Sequence, residues 1–152
     1  MAPDDAVEVR HRAPGEAAAP GHSLARRGHL SVRPNPSPGL DYVVTHEGRF
    51  RARGQAAEIA LGLRYVPDRL ILAGAAVEAY LGALGDASWP SLEAIAGAAL
   101  EDLNNELVAR WVHLTLGVEH GAGTRHQTHR VTFEDHQPGW DNPGLLARLE
   151  PW

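Results

Sequence analysis

Four segments of the chain carry the hydrophobic pattern of β-strands, and their arrangement around two helix-like segments is what most constrains the fold. In the second of them, residues 57–66, large apolar side chains occupy alternate positions and smaller or polar residues lie between them. An Arg/Gly-rich stretch joins it to the first, which predicts a hairpin. A second hairpin is predicted near the end of the chain. The four segments span residues 41–50, 57–66, 112–118 and 126–135.

Between the two hairpins the spacing of apolar residues changes from two to the three or four typical of helices. The first helical stretch has apolar residues at i, i+3, i+4 and i+7, starting at Val77. Ser88, Trp89 and Pro90 then open a longer helix, whose apolar face comprises Leu92, Ile95, Ala96, Ala99, Leu103 and Leu107. The predicted order is β-β-α-α-β-β, an α+β fold with an antiparallel sheet.

The chain has 152 residues, the size of one ordinary domain. Residues 1–28 combine charge, proline, glycine and alanine with almost no large apolar side chain, and this composition predicts a flexible N-terminal arm. Residues 29–136 are expected to form the folded domain. Residues 137–152 read as an irregular tail, whose two tryptophans, Trp140 and Trp152, need something to pack against.

The composition excludes several kinds of chemistry. The sequence contains no cysteine, and all fourteen basic residues are arginine, so thiol nucleophiles, thiolate metal sites and lysine Schiff bases are excluded. A net charge of −5 gives no basic stripe for a phosphate backbone, so a nucleic-acid partner is not expected. The apolar stretches are far shorter than the roughly 18 residues needed to cross a bilayer. We therefore expect a cytoplasmic protein with no membrane partner.

Short motifs in this order resemble one known family. The runs DYVV, GQ, RYVPD, AYL and EDLNNELVARWVHL, followed by a glycine-rich turn, are similar to the 7-cyano-7-deazaguanine nitrile reductases of the queuosine pathway. These enzymes belong to the tunnelling-fold group, and the resemblance covers about Leu30 to Phe133. It implies a tunnelling fold: a ββααββ unit with both helices on one face of the sheet. It further implies that such units assemble into an oligomeric barrel with active sites between subunits.

The catalytic residues of that family mostly do not carry over. Gly54 and Gln55 match its Gly-Gln pair, but no cysteine precedes them, and its catalytic aspartate falls on Ala57. Its cofactor motif falls on residues 73–76, which read Ala-Gly-Ala-Ala, so no cofactor is expected. Its histidine at the start of the long helix is Leu92 here, whereas the adjacent glutamate is retained as Glu93. The resemblance implies that Glu93 anchors the ring of a substrate.

The residues themselves suggest catalytic roles for Glu93, His113 and His46. Glu93 falls in the first turn of a helix, where a carboxylate is either a helix-terminal charge or a ligand-binding acid. His113 shares the polar face of its strand with Thr115, a face that would line either a pocket or the exterior of a barrel. His46 lies on the first strand in a similar way. Either imidazole is a candidate general base.

Three further residues are candidates for binding a substrate. Gln55 is retained from the family motif, and Trp89 lies beside the helix that carries Glu93, where it would stack on an aromatic ligand or pack in the core. Arg125 lies in a glycine-containing turn, near the place where the family has a phosphate-contacting basic residue. An anion contact or a solvated turn residue both remain open for Arg125.

Late histidines raise the alternative of a metal site, although none is expected. The candidates are His120, His126 and His129. Residues three apart on a strand point to opposite faces, which makes the pair His126 and His129 a poor chelate. The His-x-His strand motif with which some tunnelling-fold enzymes bind zinc is also missing.

Three hypotheses for function follow. The first is a divergent tunnelling-fold enzyme of bacterial specialised metabolism that performs cofactor-independent acid–base chemistry on a small cyclic or conjugated substrate. Cyclisation, isomerisation, elimination and ring hydrolysis would all fit. The second is a non-catalytic homologue that binds a purine-like or pterin-like ring. The third is a histidine-ligated zinc hydrolase. In each case we expect a small-molecule cyclic or aromatic ligand, and a homo-oligomer with sites between subunits.

Overall fold

A computed structural model describes residues 20–151 of the chain, with side chains described from Ser23 onward. The described part consists of four helices and six strands arranged in two antiparallel sheets. In chain order they are α1 (Pro20–Arg27), β1 (Val32–Pro34), β2 (Val44–Phe50), β3 (Ile59–Val66), β4 (Leu70–Leu72), α2 (Ala76–Gly85), α3 (Leu92–Leu107), β5 (Trp111–Ala122), β6 (Arg125–His136) and α4 (Pro143–Leu146).

The main sheet has four strands in the order β2-β3-β5-β6, and each strand is antiparallel to its neighbour. Its two hairpins are those predicted from the sequence. β5 and β6 are joined by a two-residue turn in which Gly123 adopts a φ of 63°, a left-handed conformation that favours glycine. β1 and β4 form a separate two-stranded sheet. The predicted α+β class with antiparallel strands is confirmed.

The core lies between one face of the main sheet and the helices α2 and α3. Alternation along β3 and β5 sends large apolar side chains to this face; they are Ile59, Leu61, Leu63, Tyr65, Val112, Leu114, Leu116 and Val118. The opposite face, which we call the open face, carries the intervening residues of each strand. Arg64, His113 and Glu134 belong to the open face.

Helix α3 begins at a capping serine. Ser91 has extended backbone angles, and its hydroxyl accepts a hydrogen bond from the Ala94 N–H at 3.1 Å. This bond satisfies one of the amide groups that have no partner within the helix. The helix ends at Val108, whose φ of 47° is left-handed. The predicted long helix is thus present, and Glu93 lies in its first turn.

The segment before the main domain differs from its prediction. Of the expected flexible arm, residues 1–19 lie outside the described residues, but Pro20–Arg27 form α1, which packs against α3. Arg26 pairs with the buried Asp102, and Arg27 pairs with Glu106 at 2.8 Å. Composition alone missed this helix, because ion pairs rather than large apolar side chains hold it in place.

The C-terminal tail, expected to be irregular, contains the short helix α4 and is tied to the body by polar contacts. Trp140 Nε1 and Asn142 Nδ2 both donate to Asp41 Oδ2, at 3.2 and 2.9 Å. The Asn142 amide is the main cause that lowers the pKa of Asp41. Asp41 therefore provides the hydrogen-bond acceptor for the Trp140 indole. The other tail tryptophan, Trp152, lies outside the described residues.

No helix among residues 20–151 combines the length and the apolar character that crossing a bilayer requires.

Candidate functional site

Glu93 lies at the start of α3 and reaches the neighbouring edge strand β6. Its Oε1 is 2.7 Å from Nε2 of His129, and the two side chains are 54% and 37% exposed. Hydrogen bonding by the backbone N–H of Glu93 itself, and then by His129, lowers the pKa of this carboxyl below its ordinary value. Glu93 is therefore a carboxylate at neutral pH, and it accepts a hydrogen bond from the imidazole.

The β2–β3 loop and the α2–α3 loop lie near Glu93, at the same end of the main sheet. The Arg53 N–H donates to the Ala87 carbonyl at 3.2 Å, which joins the loop between β2 and β3 to the loop between α2 and α3. The first loop carries Gln55, and the second carries Trp89. Three of the residues predicted to contact substrate, Gln55, Trp89 and Glu93, are thus placed at one end of the molecule.

Trp89 is already engaged by the protein. Its indole Nε1 donates to the Leu84 carbonyl at 2.9 Å, and the guanidinium carbon of Arg26 lies 5.3 Å from the ring centroid. This is the geometry of a cation–π contact. For Trp89 the packing interpretation describes what the structure shows, because Arg26 lies over its ring.

The other two predicted catalytic residues, His113 and His46, do not lie beside Glu93 within one chain. His113 belongs to the open face, whereas His129 bonds to a helix on the opposite side of the sheet. His46 lies on the helix side but on β2, the far edge from β6. Three strand spacings of about 4.8 Å separate those edges by about 14 Å. The predicted trio of Glu93, His113 and His46 is therefore not assembled.

His46 is half-buried, and its surroundings disfavour the charged form of its ring. Its ring stacks on Tyr65 with centroids 6.2 Å apart, and its buried Nε2 has no hydrogen-bond partner among residues 20–151. Burial lowers the pKa of His46 below 6.5. A neutral packing residue is what this site accommodates.

The depressed pKa of His46 predicts a loss of stability in mild acid. Below about pH 6.5 the unfolded chain takes up a proton at His46 that the folded chain resists, so the free energy of unfolding falls as pH decreases. Replacing His46 by Leu is expected to make this fall shallower between about pH 7 and pH 5. Urea unfolding at a series of pH values measures it. The exposed His120→Gln serves as control, and equal slopes for the two variants would contradict the assignment.

On the open face, one row of paired residues runs across the sheet. Arg64 is paired with His113, and His113 with Glu134. Trp111 lies two residues before His113 on β5, and the centroids of their stacked rings are 5.7 Å apart. The Trp111 Nε1–H also donates to Glu134 Oε1 at 2.8 Å. Burial is the largest influence on His113 and lowers its pKa, while the charge of Glu134 acts in the opposite direction. These residues and Thr115 line a cavity of about 310 Å³.

The histidines of the weak metal alternative are divided between the two faces. His129 faces the helices, and so does His120, which lies two residues beyond the core residue Val118. His126 is three residues from His129 on the same strand and therefore points to the open face, opposite Gly121. Within the described chain, no three His, Asp or Glu side chains are grouped so that they could hold a metal ion.

Arg125, for which an anion contact and a solvated turn position were both open, is exposed at the first position of β6, paired with Ala122. No family model matches the chain, and no curated protein matches it either. The resemblance to the nitrile reductases stays a prediction.

Two features of these sites are not evident from the sequence pattern. They are the role of His129 as the partner of Glu93, and the presence of Arg64 and Glu134 beside His113. The signal for Arg64 was present, because a single arginine interrupts an otherwise apolar strand at a position that faces away from the core. His129 was one of nine histidines, and only the position of β6 beside α3 distinguishes it.

Proposed function

We propose that this protein is a divergent tunnelling-fold enzyme that performs cofactor-independent acid–base chemistry on a small cyclic or conjugated molecule. The observation that carries the proposal is the 2.7 Å hydrogen bond between Glu93 and His129. Acid–base chemistry at Glu93 requires a histidine nearby, and His129 fills that role. The matching position of Glu93 in the resembling family supports a role in anchoring a substrate ring.

In this pair the His129 imidazole is suited to act as a general base, and the Glu93 carboxylate orients it through the hydrogen bond. When Nε2 of His129 donates to Glu93, Nδ1 carries the lone pair and can accept a proton from a substrate C–H, N–H or O–H group. The carboxylate stabilises the imidazolium that forms, and the same Nδ1–H then returns the proton to another substrate atom. The second oxygen of Glu93 suits an N–H donor on the substrate ring. Such a proton transfer fits isomerisation, elimination or cyclisation.

The position of the pair supports a site completed by a second subunit. Glu93 and His129 are partly exposed, and β6 is an edge strand of the main sheet, as is β2 at the other side. An edge strand offers unpaired backbone groups to another strand. We propose that copies of the chain associate through these edges into an oligomeric barrel. A neighbouring subunit then covers the pair and excludes water from it.

A direct test compares four single variants. Glu93→Gln keeps the shape of the side chain but removes its charge, and His129→Gln removes the base. Glu101→Gln on the exposed side of α3 and His120→Gln in the β5–β6 hairpin are matched controls. Each protein is incubated in D₂O with guanine, 7-cyano-7-deazaguanine and neopterin. Proton NMR follows conversion or exchange of ring protons, and calorimetry measures binding.

We expect both site variants to slow conversion or exchange by about 10² to 10⁴ fold, the usual contribution of a general acid or base, while the controls stay within about twofold of the unmodified protein. If the protein binds one of these rings in a Glu93-dependent way without turnover, the second hypothesis, a non-catalytic purine- or pterin-binding homologue, replaces the first. If Glu93→Gln changes neither binding nor rate, the site assignment is wrong. The zinc hydrolase has less support, because His126 lies on the opposite face of the sheet from His120 and His129.

A further inference from the structure

The loop between β2 and β3 carries two exposed arginines at the end of the main sheet where Glu93 lies. We propose that Arg51 and Arg53 form an anion-binding site, and that the substrate of the proposed site is a ring compound with a phosphate or carboxylate group. Glu93 and His129 hold the ring, and the two guanidinium groups bind the anionic group. Because this substrate class is assigned to the same site, it rests on the proposed function.

Neither arginine is engaged elsewhere in the described chain. Arg51 and Arg53 are exposed, and their guanidinium groups make no hydrogen bond or ion pair with residues 23–151. Arg49, just before them, is by contrast paired with Glu58 at 3.2 Å. Two residues of extended chain span about 7 Å, which is less than the combined reach of two arginine side chains. Both guanidinium groups can therefore contact one anion, and guanidinium forms paired hydrogen bonds with phosphate and carboxylate.

The backbone of this loop is held in place on both sides of the first arginine pair member. Ala52, between the two arginines, is 2% exposed and packs in the core. Its carbonyl accepts from the Gln55 N–H at 3.1 Å, which closes a turn whose third residue, Gly54, has a φ of 78°. The Arg53 N–H donates to the Ala87 carbonyl at 3.2 Å. A loop that is already ordered loses little conformational entropy when it binds a ligand.

Gly85, at the end of α2, allows the loop to lie directly against that helix. A Cβ atom at this position would be 2.7 Å from the carbonyl oxygen of Arg51, closer than Cβ atoms come to other atoms in proteins. Only glycine therefore fits here without a shift of the loop. The end of α2 and the residues after it thus contact the backbone of both Arg51 and Arg53.

The strand register gives the separation between the arginines and the Glu93–His129 pair. One row of paired residues runs across the main sheet from Phe50, which precedes Arg51, to His129; the residues between them are Ile59 and Val118. Three strand spacings of about 4.8 Å put the two ends of this row about 14 Å apart. A long arginine side chain can span part of this gap, and a ring with a short substituent can span the rest. A substrate ring at Glu93 can thus place its anionic group at the arginines.

Two carboxylates lie in the same region. Glu58 is neutralised by Arg49. Asp86, which follows α2, is exposed and makes no ion pair with an arginine of the described chain. Its charge opposes that of a bound anion, so the site has two cations and one opposing carboxylate. We therefore expect Asp86→Asn to strengthen anion binding, the opposite sign to the effect of removing an arginine.

Inorganic pyrophosphate tests the anion site without any ring. Calorimetry measures its binding to the full chain, to the double variant Arg51→Gln/Arg53→Gln and to the control Arg33→Gln/Arg148→Gln, which loses the same charge at two other exposed positions. We expect the first double variant to bind about tenfold or more weakly, and the control to stay within about threefold of the unmodified protein. Raising the salt from about 0.05 M to about 0.5 M should weaken binding to the unmodified protein. Absence of saturable binding, or equal losses in both double variants, would overturn the proposal.

Matched ring compounds then connect the anion site to the substrate. Pterin is compared with pterin-6-carboxylate, and neopterin with neopterin 3′-phosphate, so the two pairs distinguish a carboxylate from a phosphate. We expect the anionic member of at least one pair to bind about tenfold more tightly than its uncharged partner, and Arg51→Gln/Arg53→Gln to remove that preference. Equal binding within both pairs would contradict the assigned substrate class.

Glu93→Gln separates this outcome from that of the proposed function. It should weaken the binding of every ring compound and leave the binding of pyrophosphate intact. If Glu93→Gln loses ring binding while the arginine variant binds all ligands normally, only the anion site is wrong. If pyrophosphate binds at the arginines but no ring compound binds, the proposed function and the substrate class fail, and the anion site alone stands.

Discussion

Replacing Asp102 by Ala is expected to lower the free energy of unfolding by about 3–5 kcal/mol, because it leaves a buried cation without its counter-charge. Asp102 is 1% exposed and lies on α3. Its carboxylate accepts from Arg26 Nε at 2.9 Å, from the Tyr80 hydroxyl at 2.5 Å and from the Ser23 hydroxyl at 3.2 Å. The substitution would leave Arg26 of α1, itself 6% exposed, charged and without its carboxylate.

Tyr80 adds to the expected loss. Burial, and then its hydrogen bond to Asp102, raises the pKa of Tyr80 far above its ordinary value, so the hydroxyl stays protonated and donates at all physiological pH values. Without Asp102 this donor is buried without its acceptor. An unsatisfied buried donor costs about 1–3 kcal/mol by itself.

Urea unfolding at neutral pH measures the change, with Glu58→Ala as the matched control. Glu58 also pairs with an arginine, Arg49, at 3.2 Å, but the two side chains are 44% and 72% exposed. Exposed pairs of this kind contribute about 0–1 kcal/mol. Asp102→Asn, which keeps the volume of the side chain, should fall between the two. A loss for Asp102→Ala no larger than that of Glu58→Ala would show that the buried cluster does not hold α1 in place.

The same cluster shows why part of the fold escaped prediction. The hairpins and the two long helices were predictable, because a side chain such as Leu63 or Ile95 obeys a local period of two or of three to four, and local periods can be read from one sequence. Helix α1 obeys no such rule. Its position depends on the ion pair between Arg26 and Asp102, which is 76 residues later in the chain. The local sequence around α1 does not indicate this pair.

The candidate sites were predictable to the same limited degree. Glu93 could be selected because the start of α3 is a local feature and because the resemblance marks that position. His113 could be assigned to the polar face of its strand. The sequence could not show that His129 is the histidine beside Glu93, because this depends on the order of the strands. Strand order is a long-range property, set by which edges the hairpins present to each other.

Replacing Leu114 by Ala is expected to reduce the free energy of unfolding by about 2–5 kcal/mol, since it opens a cavity at the centre of the core. Leu114 is 0% exposed on the inner strand β5, where it is paired with Leu63 on one side and Phe133 on the other. The two pairing strands hold the backbone, so the site can collapse only partly around the lost atoms. Urea unfolding measures the effect, and Leu40→Ala, which deletes the same atoms from a side chain that is 65% exposed, is the control. A loss equal to that control would mean that Leu114 is not packed as the register requires, and the assignment of the open face to its neighbour His113 would fail with it.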